Sequence, residues 1–201
     1  MVETMRLGLH FTSFGGASGS REVRSRLGRV ASVAEDAGLH SLWVMDQLVQ
    51  IERFGPPEAP VLEAYTALGW LAARSERLEL GVLVSGGPYR DPRLLVKSVT
   101  TLDVLSGGRA WLGLGADWND LRGRDFKLAR PPASARYDEL RELVEIAGRM
   151  FGSDARPYHG GAYDLDSLFN QARTIAASTD PHRRQRDATN ATPRRPVCRR
   201  L

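Results

Sequence analysis

Four short apolar runs, each long enough for a buried strand, recur along this chain at nearly even intervals: residues 6–11 (RLGLHF), 41–45 (SLWVM), 78–84 (LELGVLV) and 109–114 (RAWLGL). Their first residues stand 35, 37 and 31 positions apart. Each gap has room for one helix and two loops, which a chain needs before it can lay the next parallel strand beside the last.

Helical periodicity fills those gaps. Val23, Leu27, Val30, Ala34 and Ala37 recur at steps of three or four, with Ser20 as the expected N-cap and Gly38 as the stop. Residues 61–74 form a second helix with Leu62, Tyr65, Leu68 and Ala72 on one side. A third opens on Asp91-Pro92, carries Leu95, Val99 and Leu102 inward and ends at Gly107-Gly108. Tyr137, Leu140, Val144, Ala147 and Phe151 mark a fourth, and residues 158–165 (YHGGAYDL) read as a small hairpin turned at Gly160-Gly161.

Strands alternating with helices imply an α/β fold with a parallel sheet and right-handed crossovers. An open doubly wound sheet and a closed (β/α)8 TIM barrel both satisfy that. The barrel is favoured because the third strand is almost continuously apolar and no GxGxxG turn follows the first. Eight units of about 34 residues would need roughly 270, a usual barrel size. The expectation is therefore a parallel (β/α)8 barrel truncated to about its first four βα units, with residues 1–170 as the N-terminal half.

Composition sets the tail apart. The hydrophobic content of 42% with 26% charged residues is ordinary globular usage, and the net charge of +4 hints at nucleic-acid binding until it is divided along the chain. Residues 172–201 hold eight Arg against Asp180 and Asp187, a net +6; the preceding residues hold 20 Lys and Arg against 22 Asp and Glu, a net −2. All 20 glycines and every Trp, Tyr and Phe precede residue 172. Residues 171–201 are expected to be a disordered Arg-rich tail, read as out-of-frame translation after a frameshift near codon 171, which the downstream DNA in the other two frames tests. The tail lacks aromatics for stacking on bases, which argues against nucleic acid as a partner. With no apolar run long enough for a membrane span, no signal-peptide pattern and a single cysteine, Cys198, a soluble cytoplasmic protein is expected. His159 and His182 have no partners at ligand spacing, so no metal site is expected.

In a barrel the side chains at the C-terminal strand ends face the mouth, where chemistry is sought. Three segments qualify: Asp46-Gln47 after the second strand, Ser85-Gly86-Gly87 after the third and residues 113–119 (GLGADWN) closing the fourth. Taken alone, Asp46 reads as a cap or loop residue and Ser85-Gly86-Gly87 as a turn. Trp43, Trp70 and Trp111 read as core or interhelix packing, and His10 as a satisfied or half-buried strand residue in preference to a catalytic one.

These segments resemble the luciferase-like flavin- or deazaflavin-dependent oxidoreductases, especially the branch that uses coenzyme F(420). The matching stretches are LWVMDQL at 42–48, the nearly continuous residues 63–119, and RYDELRELVEI at 136–146. The resemblance covers residues 5 to about 170, roughly the first half of a family member. It implies that Asp46 and Gln47 lie beside the cofactor ring. The family usually has His where Gln47 stands; glutamine can hydrogen-bond but cannot exchange a proton near neutral pH, so an acid–base role does not carry over. Val84, Ser85 and Gly86 resemble the bulged strand end, often containing a non-proline cis peptide, that backs the ring. Gly115, Ala116 and Asp117 resemble the segment lining the cofactor side chain. The family's phosphate-gripping glycine loop belongs to the second half, and no glycine follows Gln171 here.

The resemblance implies hydride transfer or monooxygenation on a small organic substrate, with the deazaflavin F(420) favoured by overall similarity and FMN as the alternative. Deazaflavin passes hydrides, whereas reduced FMN also activates oxygen, so the cofactor decides the reaction. Enzyme status stays open for a half barrel: activity would require assembly with a second half, a homodimer of half barrels being one route. The alternative is an inactive truncated fragment with no catalytic role.

Overall fold

The structure, a computed structural model, describes residues 5–14, 20–116, 131–152, 154–171 and 197–200. Strands β1 (Gly8–Phe11), β2 (Ser41–Val44) and β3 (Glu79–Val82) run parallel, with Gly8 beside Ser41 and Ser41 beside Glu79. The apolar run 78–84, expected as one strand, breaks and resumes as β4 (Ser85–Gly86). Both pieces pair with β5 (Ala110–Gly115), Gly81 beside Trp111 and Ser85 beside Leu114. The third line thus takes one residue more than β5 over this stretch, a bulge that contains the cis peptide Leu83-Val84.

Helices α1 (Ser20–Asp36), α2 (Ala64–Ala72), α3 (Pro92–Ser106) and α4 (Ala133–Phe151) fall where the periodicity placed them. Gly38 and Gly107 adopt φ of 73° and 70°, the left-handed geometry that glycine tolerates past a helix end. Asp91 caps α3 by accepting from the Arg93 N–H at 2.8 Å. α2 starts later than residue 61 because Glu63 is its cap, accepting from the Tyr65 and Thr66 N–H groups at 3.2 and 2.7 Å. β6 (Tyr158–His159) and β7 (Asp164–Leu165) form the expected hairpin.

Which face each strand residue takes decides the architecture. Leu42, Val44, Leu80, Val82, Leu112 and Leu114 are buried in one core with Leu27, Leu68, Leu71, Leu95 and Val99 of the helices. The alternate residues take the opposite face, where the Trp43 and Trp111 rings meet at 5.8 Å. A Cβ on Gly81, which lies between them, would stand 2.5 Å from the Trp43 ring. Helices along one face and large side chains on the other make the wall of a barrel, whereas a doubly wound sheet carries helices on both faces. His10 is exposed on β1, in register with Trp43. Trp70 packs between helices, 3.2 Å from where a Cβ on Gly28 would stand, with Arg74 over its ring.

At the end of the tail, Val197–Arg200 form β8, antiparallel to β5. No strand is expected there from the sequence; the second edge of β5 supplies the N–H and C=O groups that it pairs with. Residues 172–196 lie outside the described residues. No described helix is long and apolar enough to cross a membrane.

Candidate active site

β2 runs out into Asp46 and Gln47, which are 2% and 9% exposed. Burying polar groups here costs free energy unless they are paired. The loop beyond is fastened by Gln50, fully buried, whose amide oxygen accepts from the Ile51 N–H at 2.8 Å and whose amide nitrogen donates to the Thr12 carbonyl at 3.4 Å. This ties the end of β2 to the end of β1.

At the end of the third line, Ser85 is fully buried with its Oγ 2.7 Å from the Tyr65 hydroxyl. Gly86 pairs with Gly115 across the sheet. A Cβ on Gly115 would overlap the Val84 Cγ2, and one on Gly86 would stand 2.9 Å from the Tyr89 ring. Val84, Ser85, Gly86 and Gly115 are therefore in one place, with Ala116, half-buried, continuing from Gly115. Asp117 lies outside the described residues. Tyr163 of the hairpin closes over this corner, its hydroxyl 3.6 Å from where a Cβ on Gly87 would stand. Burial, together with the charges of Glu139, Glu142 and Asp91, pushes the Tyr163 phenol up to about 12.

Sequence reasoning missed the residue that joins the two strand ends. Arg90 donates to both oxygens of Asp46, Nη1 to Oδ2 at 2.6 Å and Nη2 to Oδ1 at 3.0 Å. Its Nη2 also donates to Glu63 Oε1 at 2.5 Å, and its guanidinium lies 5.1 Å from the centroid of the Tyr65 ring. Burial pulls the Arg90 guanidinium down from its ordinary value, but the Asp46 and Glu63 carboxylates outweigh it and the net shift is upward. Burial pushes Glu63 up, yet the Thr66 and Tyr65 bonds and Arg90 hold it below the usual carboxylate range. Burial raises the Tyr65 phenol, so it stays a neutral hydroxyl. Arg90 stands 44 positions from Asp46 and 27 from Glu63. The one available signal was a cation in the loop between the third strand line and the helix opened by Asp91-Pro92.

A barrel wall with polar groups gathered at the C-terminal strand ends defines a β/α-barrel protein with its site at that pole. The sequence model of the luciferase-like monooxygenase family matches residues 5–193, and the chain belongs to that family. The match crosses residue 172, where the composition changes. The chain is 30% identical over 150 residues to an F(420)-dependent glucose-6-phosphate dehydrogenase of Kineococcus radiotolerans, covering 74% of this chain and 43% of the relative. Its fold resembles that of the monooxygenase RslO1 from Streptomyces bottropensis, with a TM-score of 0.71, 20% identity, and coverage of 85% of this chain and 50% of that one. It also resembles a type II Baeyer-Villiger monooxygenase, the oxygenating constituent of 3,6-diketocamphane monooxygenase of Pseudomonas putida, in complex with FMN, with a TM-score of 0.67, 18% identity, and coverage of 84% and 45%. The chain spans about half the length of these proteins.

Proposed function

We propose that the whole protein is an oxidoreductase that binds the deazaflavin F(420), and that this chain supplies the wall facing the cofactor ring. The observation that carries this reading is the meeting of three strand ends at one pole, where Gly86 pairs with Gly115 and Asp46, Gln47 and Ser85 are buried beside α2 and the turn after β4. A flat ring with polar edges suits such a set, because glycine backbone allows close approach and the buried polar groups fix orientation.

In this reading Asp46 and Gln47 hydrogen-bond the ring edge, Val84, Ser85 and Gly86 back it, and Gly115, Ala116 and Asp117 line the cofactor side chain. When bound, the deazaflavin supplies hydride transfer to or from a small organic substrate. Gln47 orients and does not move protons. The packed part of the barrel half reaches residue 170 at least, since Leu168 is buried and Asn170 accepts from the Thr100 hydroxyl at 3.2 Å. FMN is the second reading, favoured by the likeness to the FMN-bound monooxygenase, and would shift the reaction to oxygen insertion.

Fluorescence titration of the purified chain with F(420) and with FMN tests the proposal. Saturable binding of F(420), weakened by Asp46→Asn, is expected. Preference for FMN would move the assignment to a monooxygenase, and binding of neither would leave the non-catalytic reading.

A further inference from the structure

We propose that Arg90 is a positioning residue of this site. It grips both oxygens of the Asp46 carboxylate and fixes its plane at the end of β2, and through Tyr65 it ties that carboxylate to Ser85 at the end of the third line. This role rests on the reading of these strand ends as a cofactor site.

The geometry is specific to arginine. A planar fork engages both oxygens of Asp46, which leaves the carboxylate one orientation, while a lysine ammonium would act as a point charge without fixing the plane. The fork is itself fixed from two further directions. Glu63, the cap of α2, accepts from the same Nη2 that reaches Asp46, and the Tyr65 ring lies against the guanidinium from the first turn of that helix. The Tyr65 hydroxyl then reaches Ser85 at 2.7 Å. One cation therefore sets the relative placement of two segments 39 positions apart in sequence, Asp46 and Ser85. The Arg90 and Asp46 side chains are only 13% and 2% exposed, so solvent cannot stand in for either partner. Among the described groups around this pair, Arg90 brings the positive charge to Asp46, with the Glu63 carboxylate on the same guanidinium and the Tyr65 hydroxyl close by; removing Arg90 takes that charge away and leaves the Glu63 anion in place.

The test is a double-mutant cycle on the full chain with Asp46→Asn, Arg90→Gln and the pair, read by F(420) affinity and by urea unfolding without cofactor. If Arg90 acts through Asp46, each single change weakens F(420) binding by about tenfold or more, the equivalent of one hydrogen bond to a charged group. The pair is then no weaker than the worse single change. Arg90→Gln should also acquire a pH dependence that neither wild type nor the pair shows, its affinity rising with pH as the carboxylate that has lost its arginine ionises. A scaffold role alone would not produce that profile. Arg90→Lys, which keeps the charge and loses the fork, should retain the wild-type pH profile at reduced affinity and serves if Arg90→Gln does not fold. Losses that multiply in the pair, or an Arg90→Gln profile like that of wild type, would overturn the assignment. If wild type binds neither F(420) nor FMN, the functional reading falls by itself. The unfolding cycle then decides for Arg90: non-additive losses whose size varies with pH support positioning of Asp46, and additive, pH-independent losses refute it.

Discussion

Gly115 has no room for a side chain, because the Val84 Cγ2 occupies the place its Cβ would take. Gly115→Ala should force β5 and the bulged line apart and cost about 1–3 kcal/mol, as overpacking does. Removing the opposing methyls with Val84→Ala in the same chain should return part of that loss. Urea midpoints of the two single variants and the pair check this; a pair less stable than either single variant would rule out the steric cause. Tyr65→Phe keeps the ring against Arg90 but strips the hydroxyl from the buried Ser85, and should cost about 1–3 kcal/mol. Thermal unfolding measures that, and an unchanged midpoint would mean that water replaces the bond. Ser85, Gly86 and Gly115 were legible from sequence because a strand end rich in Ser and Gly is a local pattern. Tyr65 read as one apolar position of a helix, and Arg90 not at all, because ion pairs across a fold leave no periodic trace. Their partners are 20 and 44 positions away.

Among the elements, one carboxylate fastens α1 to the segment that enters β3, beside the bond that the Arg77 guanidinium donates to the Glu35 carbonyl at 3.2 Å. Glu35, near the end of α1, accepts with Oε1 from the N–H groups of Glu76, Arg77 and Leu78 at 2.9, 2.6 and 3.1 Å. Burial pushes this carboxyl up, but those three bonds and the Arg77 charge outweigh it and hold it below the ordinary value. A folded-state pKa depressed in this way stabilises the protein above the ordinary carboxylate value and stops doing so as pH falls through the folded value. Glu35→Gln should therefore lose about 1–2 kcal/mol near neutral pH, allowing for contact with solvent, and its deficit against wild type should shrink in acid. Urea midpoints in a pH series test this; a deficit constant from neutral pH into acid would exclude the carboxylate charge as the cause. Most element boundaries were readable because their signals are short-range: Asp91-Pro92 opens α3 and Gly107 closes it. The break in the third strand was not, since residues 78–84 are apolar throughout except for Glu79 near the start, and the interruption is a matter of backbone geometry against β5.

The molecule as a whole divides its work between the two ends of the sheet. The even spacing of four apolar runs made the barrel wall legible, but not how each end is held. At the N-terminal end, Arg109 gathers the chain where α2, β3 and α3 converge. It donates to the carbonyls of Ser106 at 2.6 Å, Leu78 at 2.7 Å, Ser75 at 2.8 Å and Ala72 at 3.2 Å, and to the Ser75 hydroxyl at 3.2 Å. No carboxylate appears among these bonds, and the carbonyls among the acceptors lie at helix ends or in the loop before β3, where the helical ladder does not reach. At the C-terminal end, Arg90 joins carboxylates whose placement matters to a ligand. Two arginines of similar burial should therefore fail differently, as the usual division of a barrel into a stability face and a functional face implies. Arg109→Met keeps the length of the side chain and removes every donor, and should cost about 2–4 kcal/mol by leaving several half-buried carbonyls unpaired. Measured well below its unfolding midpoint, that variant should bind F(420) within about twofold of wild type, the spread expected of distant independent sites. Arg90→Gln should do the reverse, with the larger change in affinity. Parallel urea unfolding and cofactor titration of both variants make the comparison. A loss of affinity in Arg109→Met matching that in Arg90→Gln would mean that the two ends are coupled through β3 and β5, and that the division proposed here is wrong.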